Sequence, residues 1–255
     1  MANYTIKDDG KFNYIEEGEG DVLILLHGLF GTMSNFEHII NHFKGRYKVV
    51  IPMLPLYDMP LLTTGVKTLS EFLKKFIKHK GYNDVVLLGN SLGGHVALVF
   101  QERWPEKVKS MILTGSSGLY ENAFGGTYPK REDRNFIREK TQTTFYDPKH
   151  ATEELIDEVY EIVNNRSKVI KVLALAKSAI RHNVKDDLHK INIPVCLIWG
   201  KQDIITPPEV AEEFHANIKG SELHWIDKCG HAPMMEHPEE FNVLLDAFLL
   251  KVSGK

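Results

Sequence analysis

The sequence is poor in cysteine and has no marked excess of charge of either sign. Only two cysteines, Cys196 and Cys229, occur among its 255 residues. A framework of several disulfides, the kind that stabilises small secreted domains, is therefore excluded. The 31 basic and 34 acidic residues give a formal net charge of −3, which provides no basic surface for general nucleic-acid binding. We expect both cysteines to be reduced thiols in a cytoplasmic protein.

Long apolar runs are also missing. The longest, such as Val22–Leu26, are far too short to cross a bilayer, so no membrane span is predicted. The first residues lack a basic start followed by an apolar stretch, and no secretory signal is expected. Apolar residues make up 43% and charged residues 25% of the chain. That composition is typical of a soluble globular domain large enough to bury a core, and it argues against disorder.

Short apolar runs alternate with helical patterns along the chain, which predicts a mostly parallel sheet with helices on both faces. Six runs are predicted to be buried strands: Asp21–His27, Tyr47–Pro52, Asp84–Gly89, Lys109–Gly115, Ile193–Gly200 and Ser221–Ile226. An antiparallel pair is expected before them, on either side of the turn Asp8-Asp9-Gly10. Helices are predicted at Leu69–His79, Leu92–Arg103, Pro207–Asn217 and Pro238–Val252.

The alternation stops between Gly118 and Leu188, where two amphipathic helices are predicted at Thr152–Asn164 and Ser167–His182. Because the strand pattern resumes afterwards, we predict a core of residues 1–117 and 189–255 with a helical cap insertion at 118–188. Aromatic residues near the start of the insertion are expected either to pack the cap or to line an apolar acyl or aryl pocket. They are Phe124, Tyr128, Phe136, Phe145 and Tyr146.

The segment Gly89-Asn90-Ser91-Leu92-Gly93 lies between a predicted strand and a predicted helix. This is the setting of a nucleophile elbow, in which a strained turn lifts the serine hydroxyl out of the sheet. The flanking glycines remove side chains that would collide around the turn, and the helix N-terminus behind Ser91 favours developing negative charge. We therefore predict that Ser91 is a catalytic nucleophile.

A serine hydroxyl needs a base, and the base needs an acid that fixes its tautomer. Of the twelve histidines, His231 follows the last predicted strand and should reach the edge of the sheet where Ser91 lies. Asp203 follows the preceding predicted strand, which gives the chain order serine, acid, histidine expected of such a sheet. Asp227, four residues before His231, is the alternative acid, with a turn or cap as its more ordinary role.

A tetrahedral intermediate also needs backbone N–H donors for its oxyanion. The amide of Leu92, directly after the nucleophile, is one candidate. The second is the amide of Leu29 in the glycine-flanked turn His27-Gly28-Leu29-Phe30-Gly31, with that of Phe30 as the fallback. Phe30 and Asn90, which adjoin these positions, are predicted to contact substrate.

Together these motifs resemble the α/β-hydrolase superfamily, from the His27-Gly28 turn through the elbow to Gly230-His231. The elbow Gly89–Gly94 and the segment around His231 are similar to those of meta-cleavage-product hydrolases, which cut carbon–carbon bonds in ring-fission products. By that likeness, Arg166 would bind the substrate's carboxylate, although a solvated surface role for Arg166 stays open. The Leu29-Phe30 turn looks more like that of small serine carboxylesterases.

The leading prediction is therefore a serine hydrolase that cleaves carboxylic esters through a Ser91–His231–Asp203 triad and an acyl-enzyme. The alternatives are a meta-cleavage-product-type carbon–carbon hydrolase, or a non-enzymatic small-molecule binding protein on the same fold. The expected partner is a small molecule with an apolar acyl or aryl group. No metal or organic cofactor is predicted, because the predicted chemistry needs neither. The histidines also lack metal-ligand spacing. Oligomeric state is left open. The segment Pro52–Pro60 departs from the loop that relatives carry there, and the sequence assigns it no role.

Overall fold

The computed structural model describes residues 4–31, 33–122 and 130–254, without the side chains of residues 33 and 34. The strands are β1 (Lys7–Asp8), β2 (Asn13–Glu17), β3 (Asp21–Leu26), β4 (Tyr47–Pro52), β5 (Val85–Asn90), β6 (Val108–Thr114), β7 (Val195–Gly200) and β8 (Glu222–Ile226). The α-helices are α1 (Glu37–Phe43), α2 (Val66–Lys80), α3 (Leu92–Arg103), α4 (Arg134–Gln142), α5 (Glu153–Asn164), α6 (Arg166–Arg181), α7 (Pro208–Asn217), α8 (Pro233–Glu236) and α9 (Pro238–Ser253).

The strands form one sheet in the order β1-β2-β4-β3-β5-β6-β7-β8. β2 pairs antiparallel with β1 and β4, and the remaining neighbours are parallel. The carboxyl ends of β5, β7 and β8 therefore lie along one edge of the sheet. Loops that follow these strands meet there, as ligand-binding loops do in open α/β sheets.

Both faces of the sheet are covered, as its apolar strands require. On β3, Ile24 and Leu26 pack into the core formed with α2, α3 and α7, whereas Leu23 and Leu25 pack into the core formed with α1 and α9. This alternation follows from the two-residue period of a strand. The predicted mostly parallel sheet with helices on both faces is confirmed.

Helices α4, α5 and α6 lie in the chain between β6 and β7, and each begins at a side-chain cap. Asp133 accepts hydrogen bonds from the amides of Asn135 and Phe136, Thr152 from that of Leu155, and Asn165 from those of Ser167 and Lys168. Such caps pair amides that have no partner within the first helical turn. Ile137, Val159, Val163 and Val169 form a small apolar core among the three helices.

Most predicted elements appear within one to three residues of their expected limits, and α3 and β4 have the predicted bounds. Helices α1, α4 and α8 were not predicted. Only Ile137 and Thr141 are buried in α4, so its sequence shows little apolar periodicity and its N-cap was the available signal. No helix in the described part of the chain is long and apolar enough to cross a membrane.

Candidate active site

Ser91 occupies a tight turn between β5 and α3. Its backbone has φ 54° and ψ −122°, a conformation that is sterically costly for a residue with a side chain. Four hydrogen bonds hold it. The Ser91 amide donates to Thr114 O at 3.2 Å, and the Ser91 carbonyl accepts from the amides of Gly94, His95 and Ser117 at 3.0, 3.3 and 3.1 Å. Strain that is held in place by its surroundings is common at functional sites.

Close packing behind the turn explains the glycine at position 93. A methyl group on Gly93 would lie 2.0 Å from the carbonyl oxygen of Leu26 on β3. Helix α3 can therefore start this close to the strand only if residue 93 has no side chain. The predicted strand–turn–helix setting of Ser91 is thus present in the structure.

His231 and Asp203 form a buried pair on the loops that follow β8 and β7. Asp203 Oδ2 lies 2.9 Å from His231 Nδ1. The other carboxylate oxygen accepts hydrogen bonds from the amides of Ile205 and Thr206, at 2.8 and 3.0 Å. The Thr206 hydroxyl donates to Oδ2 at 2.8 Å. With both oxygens paired, the Asp203 carboxylate is fixed in one orientation toward the imidazole.

The alternative acid does not reach this imidazole. Asp227 is exposed, where it accepts a hydrogen bond from Gln202 and lies 3.9 Å from the Lys201 ammonium. Of the two acids that the sequence offered, the structure therefore brings Asp203 to His231.

Nε2 of His231 is buried and has no hydrogen-bond partner among the described residues. Burial disfavours charge on this imidazole, but the adjacent Asp203 carboxylate, with Glu121 and Glu236 further away, outweighs that effect. The pKa of His231 is accordingly raised above its ordinary value of 6.5. An imidazole with Nδ1 held by a carboxylate and Nε2 unpaired can exchange a proton with a group that enters the pocket.

A single pocket contains Ser91, His231 and the Leu29 turn. A methyl group placed on Gly28 would stand 3.6 Å from Ser91 Oγ, so the turn adjoins the hydroxyl. The amides of Leu29 and Leu92 have no hydrogen-bond acceptor among the described residues. Apolar side chains from α5 and α6 complete the lining: Leu155, Val159, Leu173, Ala176 and Ile180.

The predicted substrate contacts have different positions. Phe30 lines the pocket. Asn90 also lines it, but its amide nitrogen donates to Thr114 O at 3.0 Å and His231 O at 3.1 Å, so it braces the His231 loop against the elbow. Arg166 is exposed at the start of α6 and is not among the pocket-lining residues. The structure therefore gives no support to Arg166 as a carboxylate-binding residue.

Of the aromatic residues predicted near the start of the insertion, Phe145 lines the pocket, whereas Phe136 and Tyr146 do not. Phe136 packs against the small core of the insertion, and Tyr146 is exposed. Phe124 and Tyr128 lie outside the described residues.

Tyr57, in the segment Pro52–Pro60, supports the Leu29 turn. Its hydroxyl donates to the carbonyl oxygen of Leu29 at 3.1 Å. Its own carbonyl oxygen accepts a hydrogen bond from Lys171 on α6, and Lys168 Nζ lies 5.5 Å from the centre of its ring. The segment for which the sequence suggested no role thus connects α6 to the turn beside Ser91.

Glu121 is a further pocket-lining residue that the sequence did not single out. Its Oε2 accepts a hydrogen bond from Ser117 Oγ at 2.6 Å. The sequence also missed Tyr57 and Thr206. Tyr57 contacts a distant segment, whereas Glu121 and Thr206 lie in loops, and apolar periodicity predicts neither kind of position. Only Thr206 had a local signal, since an aspartate followed at the third position by threonine is a common turn pattern.

The described residues contain no group of three or more histidine, cysteine, aspartate or glutamate side chains that could hold a metal ion. The polar groups described in the pocket are the Ser91 hydroxyl, the His231–Asp203 pair, the Glu121 carboxylate and the amides of Leu29 and Leu92.

Several known proteins are similar to this chain over nearly its whole length. An α/β hydrolase enzyme from the metagenome of sediments of the Mar Chica lagoon, Morocco, is 48% identical, with a TM-score of 0.81. The match covers 98% of this chain and 100% of that one. The 2-hydroxy-6-oxo-6-phenylhexa-2,4-dienoate hydrolase of Comamonas testosteroni is 28% identical, with 98% of this chain and 95% of that protein covered.

A Pseudomonas putida protein, 2-hydroxy-6-oxononadienedioate/2-hydroxy-6-oxononatrienedioate hydrolase 1, is 26% identical. That match covers 98% of this chain and 99% of the relative. Residues 21–238 match the family model described as alpha/beta hydrolase fold. Since this match includes β3–β8, the elbow and both loops of the His231–Asp203 pair, the chain belongs to the alpha/beta hydrolase fold family.

Proposed function

We propose that this protein is a serine hydrolase that cleaves small carboxylic esters through an acyl-enzyme. The observation that carries the proposal is the buried Asp203–His231 pair, whose Nε2 is unpaired in the pocket that also contains Ser91. A nucleophile, a base and a group that orients the base are the components that nucleophilic catalysis by serine requires. Family membership and the hydrolase relatives support the same broad class.

In the proposed mechanism, Ser91 Oγ attacks the ester carbonyl carbon while His231 Nε2 takes the hydroxyl proton. Asp203 stabilises the resulting imidazolium. The amides of Leu29 and Leu92 donate hydrogen bonds to the oxyanion. Because Ser91 lies at the N-terminus of α3, the dipole of that helix also stabilises the negative charge. Collapse of the intermediate breaks the ester C–O bond, and His231 protonates the leaving alcohol. Water activated by His231 then releases the acid from Ser91.

The lining of the pocket favours an ester with an apolar acyl or aryl group. Most of the side chains that line it are apolar, and Phe30, Phe145 and Leu155 are among them. No arginine is found among the described lining residues, and the lysine among them, Lys177, is exposed. A site built for an anionic substrate would be expected to contain a cation that pairs with it deep in the pocket.

A second candidate is hydrolysis of a carbon–carbon bond in a ring-fission product. The names of the curated relatives favour it over ester hydrolysis, since both relatives described above are hydrolases of unsaturated oxo acids. Both names denote substrates that carry carboxylates. The relatives are only 26% and 28% identical to this chain. Arg166, the residue predicted to pair with such a carboxylate, is exposed and does not line the pocket.

A direct comparison of the two substrate classes tests the proposal. The purified protein is given 4-nitrophenyl esters from acetate to decanoate and, separately, 2-hydroxy-6-oxo-6-phenylhexa-2,4-dienoate, whose colour is lost on cleavage. We expect release of 4-nitrophenolate with an optimum at short or medium acyl length, and slower or no loss of dienoate colour. Cleavage of the dienoate without ester turnover would replace the proposal by the second candidate.

The pH dependence of ester hydrolysis follows from the environment of His231. A general base acts only when neutral, so kcat/KM for an uncharged ester should rise with pH as His231 loses its proton. Because the pKa of His231 is raised, the half-maximal rate should lie above pH 6.5. The measurement is kcat/KM between about pH 5 and 9, with Ser91→Ala as the blank for spontaneous hydrolysis. A half-maximal rate below pH 6.5 would contradict the expectation.

A further inference from the structure

A carboxylate lies in the pocket beside the proposed nucleophile, and the proposed mechanism does not use it. Glu121 follows β6 by seven residues and lines the pocket with Ser91 and His231. Its connection to Ser91 is short. Ser117 donates its amide to the Ser91 carbonyl at 3.1 Å and its hydroxyl to Glu121 Oε2 at 2.6 Å. One residue therefore joins the nucleophile turn to this carboxylate.

The backbone on the other side of Glu121 is also fixed. The amide of Asn122 donates to Ile205 O at 2.7 Å, and its side-chain amide donates to Ile204 O at 2.8 Å. These two acceptors directly follow Asp203. Glu121 is thus held between the loop of the His231–Asp203 pair and the end of β6, and its carboxylate has little freedom to leave the pocket.

The contacts of Glu121 suit an ionised carboxylate. A hydroxyl that donates at 2.6 Å has the length of a charge-assisted hydrogen bond. Burial has the largest effect and raises the pKa of Glu121 above its ordinary value, and the Ser117 hydroxyl and the nearby His231 offset only part of that rise. Lys177 on α6 also lines the pocket, but it is exposed, and no ion pair within the described residues joins it to Glu121.

We propose that Glu121 makes the site select esters whose acyl and alcohol groups are neutral or positively charged, and reject esters that carry a carboxylate. The proposal rests on the proposed ester hydrolysis and names its substrate class. A substrate anion in this pocket would be repelled by the Glu121 carboxylate. Because Glu121 is half-buried, water and salt screen this repulsion less than they would at the protein surface. A substrate cation in the pocket would be attracted. Such repulsion would also make the substrate preference of this chain different from that of the relatives named for oxo acids.

The proposal is tested with two pairs of ester substrates. The members of each pair have a similar size and shape but differ by one charge. On the acyl side, 4-nitrophenyl valerate is compared with mono-4-nitrophenyl glutarate, which replaces the terminal methyl group by a carboxylate. On the alcohol side, 3,3-dimethylbutyl thiobutyrate is compared with butyrylthiocholine, its trimethylammonium isostere. The measured quantity is the ratio of kcat/KM within each pair, because the reacting bond is the same for both members.

In at least one pair, kcat/KM of the wild type should differ by about tenfold or more. It should be higher for 4-nitrophenyl valerate than for the glutarate ester, or higher for butyrylthiocholine than for its neutral isostere. Glu121→Gln preserves the size of the side chain and its bond to Ser117, and it should bring the affected ratio close to one. Glu158→Gln is the matched control, because Glu158 is a half-buried acid on α5 that does not line the pocket. That variant should keep the wild-type ratios.

If Glu121→Gln changes the kcat/KM ratio of only one pair, Glu121 lies near the part of the ester, acyl or alcohol, that this pair varies. Equal ratios in wild type and Glu121→Gln, for both pairs, would overturn the proposal while leaving ester hydrolysis intact. Failure of the wild type to hydrolyse either neutral ester would overturn the proposed function and this inference with it. The two failures are therefore distinguishable.

A measurement on the unaltered protein guards against a variant that does not fold. Hydrolysis of 4-nitrophenyl valerate is inhibited with pentanoate and with n-pentylammonium at equal ionic strength. We expect the ammonium ion to inhibit at roughly tenfold lower concentration. Stronger inhibition by pentanoate would contradict a selective carboxylate in the pocket.

Discussion

Replacing Ser91 by alanine is expected to lower kcat for 4-nitrophenyl ester hydrolysis by about a thousandfold or more. The substitution removes the only atom that the proposed mechanism joins to the acyl group, and it leaves the buried Asp203–His231 pair in place. A fluorophosphonate probe should label the wild type at residue 91 and fail to label the variant, as intact-mass spectrometry would record. Ligand affinity should change far less than turnover, because the pocket walls stay the same.

Ser70→Ala is the matched control for this experiment. Ser70 is a fully buried serine on α2 whose hydroxyl donates to the Lys67 carbonyl, and it does not line the pocket. Activity and labelling of that variant should match the wild type. Turnover that survives in Ser91→Ala would remove this hydroxyl from the chemistry. A folded wild type that the probe leaves unlabelled would argue for a binding protein on the hydrolase fold.

The substitution Gly93→Ala is expected to reduce the free energy of unfolding by about 3 kcal/mol. The added methyl group would lie 2.0 Å from the carbonyl oxygen of Leu26. Leu26 is the last residue of β3, a central strand of the sheet, so neither β3 nor α3 can move freely there. The higher helix propensity of alanine recovers at most about 1 kcal/mol. Steric overlap therefore dominates, and urea denaturation should show a clearly lower midpoint.

A glycine in open space provides the comparison for this second experiment. Gly45 follows α1, and a methyl group added there would have no atom within 4 Å. Gly45→Ala should leave the free energy of unfolding within about 0.5 kcal/mol of the wild-type value. If both variants unfold at the wild-type urea concentration, the close packing of the elbow against β3 is not a constraint on stability.

Local sequence patterns predicted the elbow because its requirements are local. Glycines on either side of Ser91, with a strand before and a helix after, already specify the turn. The His231–Asp203 pair was predictable for a different reason. Each residue follows a strand of a parallel sheet, and such strands end at one edge. The choice of Asp203 over Asp227 rested on chain order, and the geometry places Asp203 beside the imidazole.

The walls of the pocket could not be predicted in the same way. Tyr57 acts through a hydrogen bond to Leu29 in another segment, and Glu121 is placed by a loop whose next residue, Asn122, bonds to the loop after β7. Arg166 is exposed because of where α6 begins. Position in the chain says little about such packing between loops and the insertion. Helix α4 was missed because it buries only Ile137 and Thr141, too few residues to form an apolar stripe that would distinguish it from a loop.

The hydrogen bonds of Tyr57 tie the position of α6 to that of the Leu29 turn. Leu173 and Ala176 of α6 line the pocket, while Lys171 on the same helix holds the Tyr57 carbonyl and the Tyr57 hydroxyl holds that of Leu29. An outward movement of α6 that admitted a substrate would also withdraw Lys171 and loosen the Leu29 peptide. A change in the position of α6 would therefore be transmitted to the backbone beside Ser91.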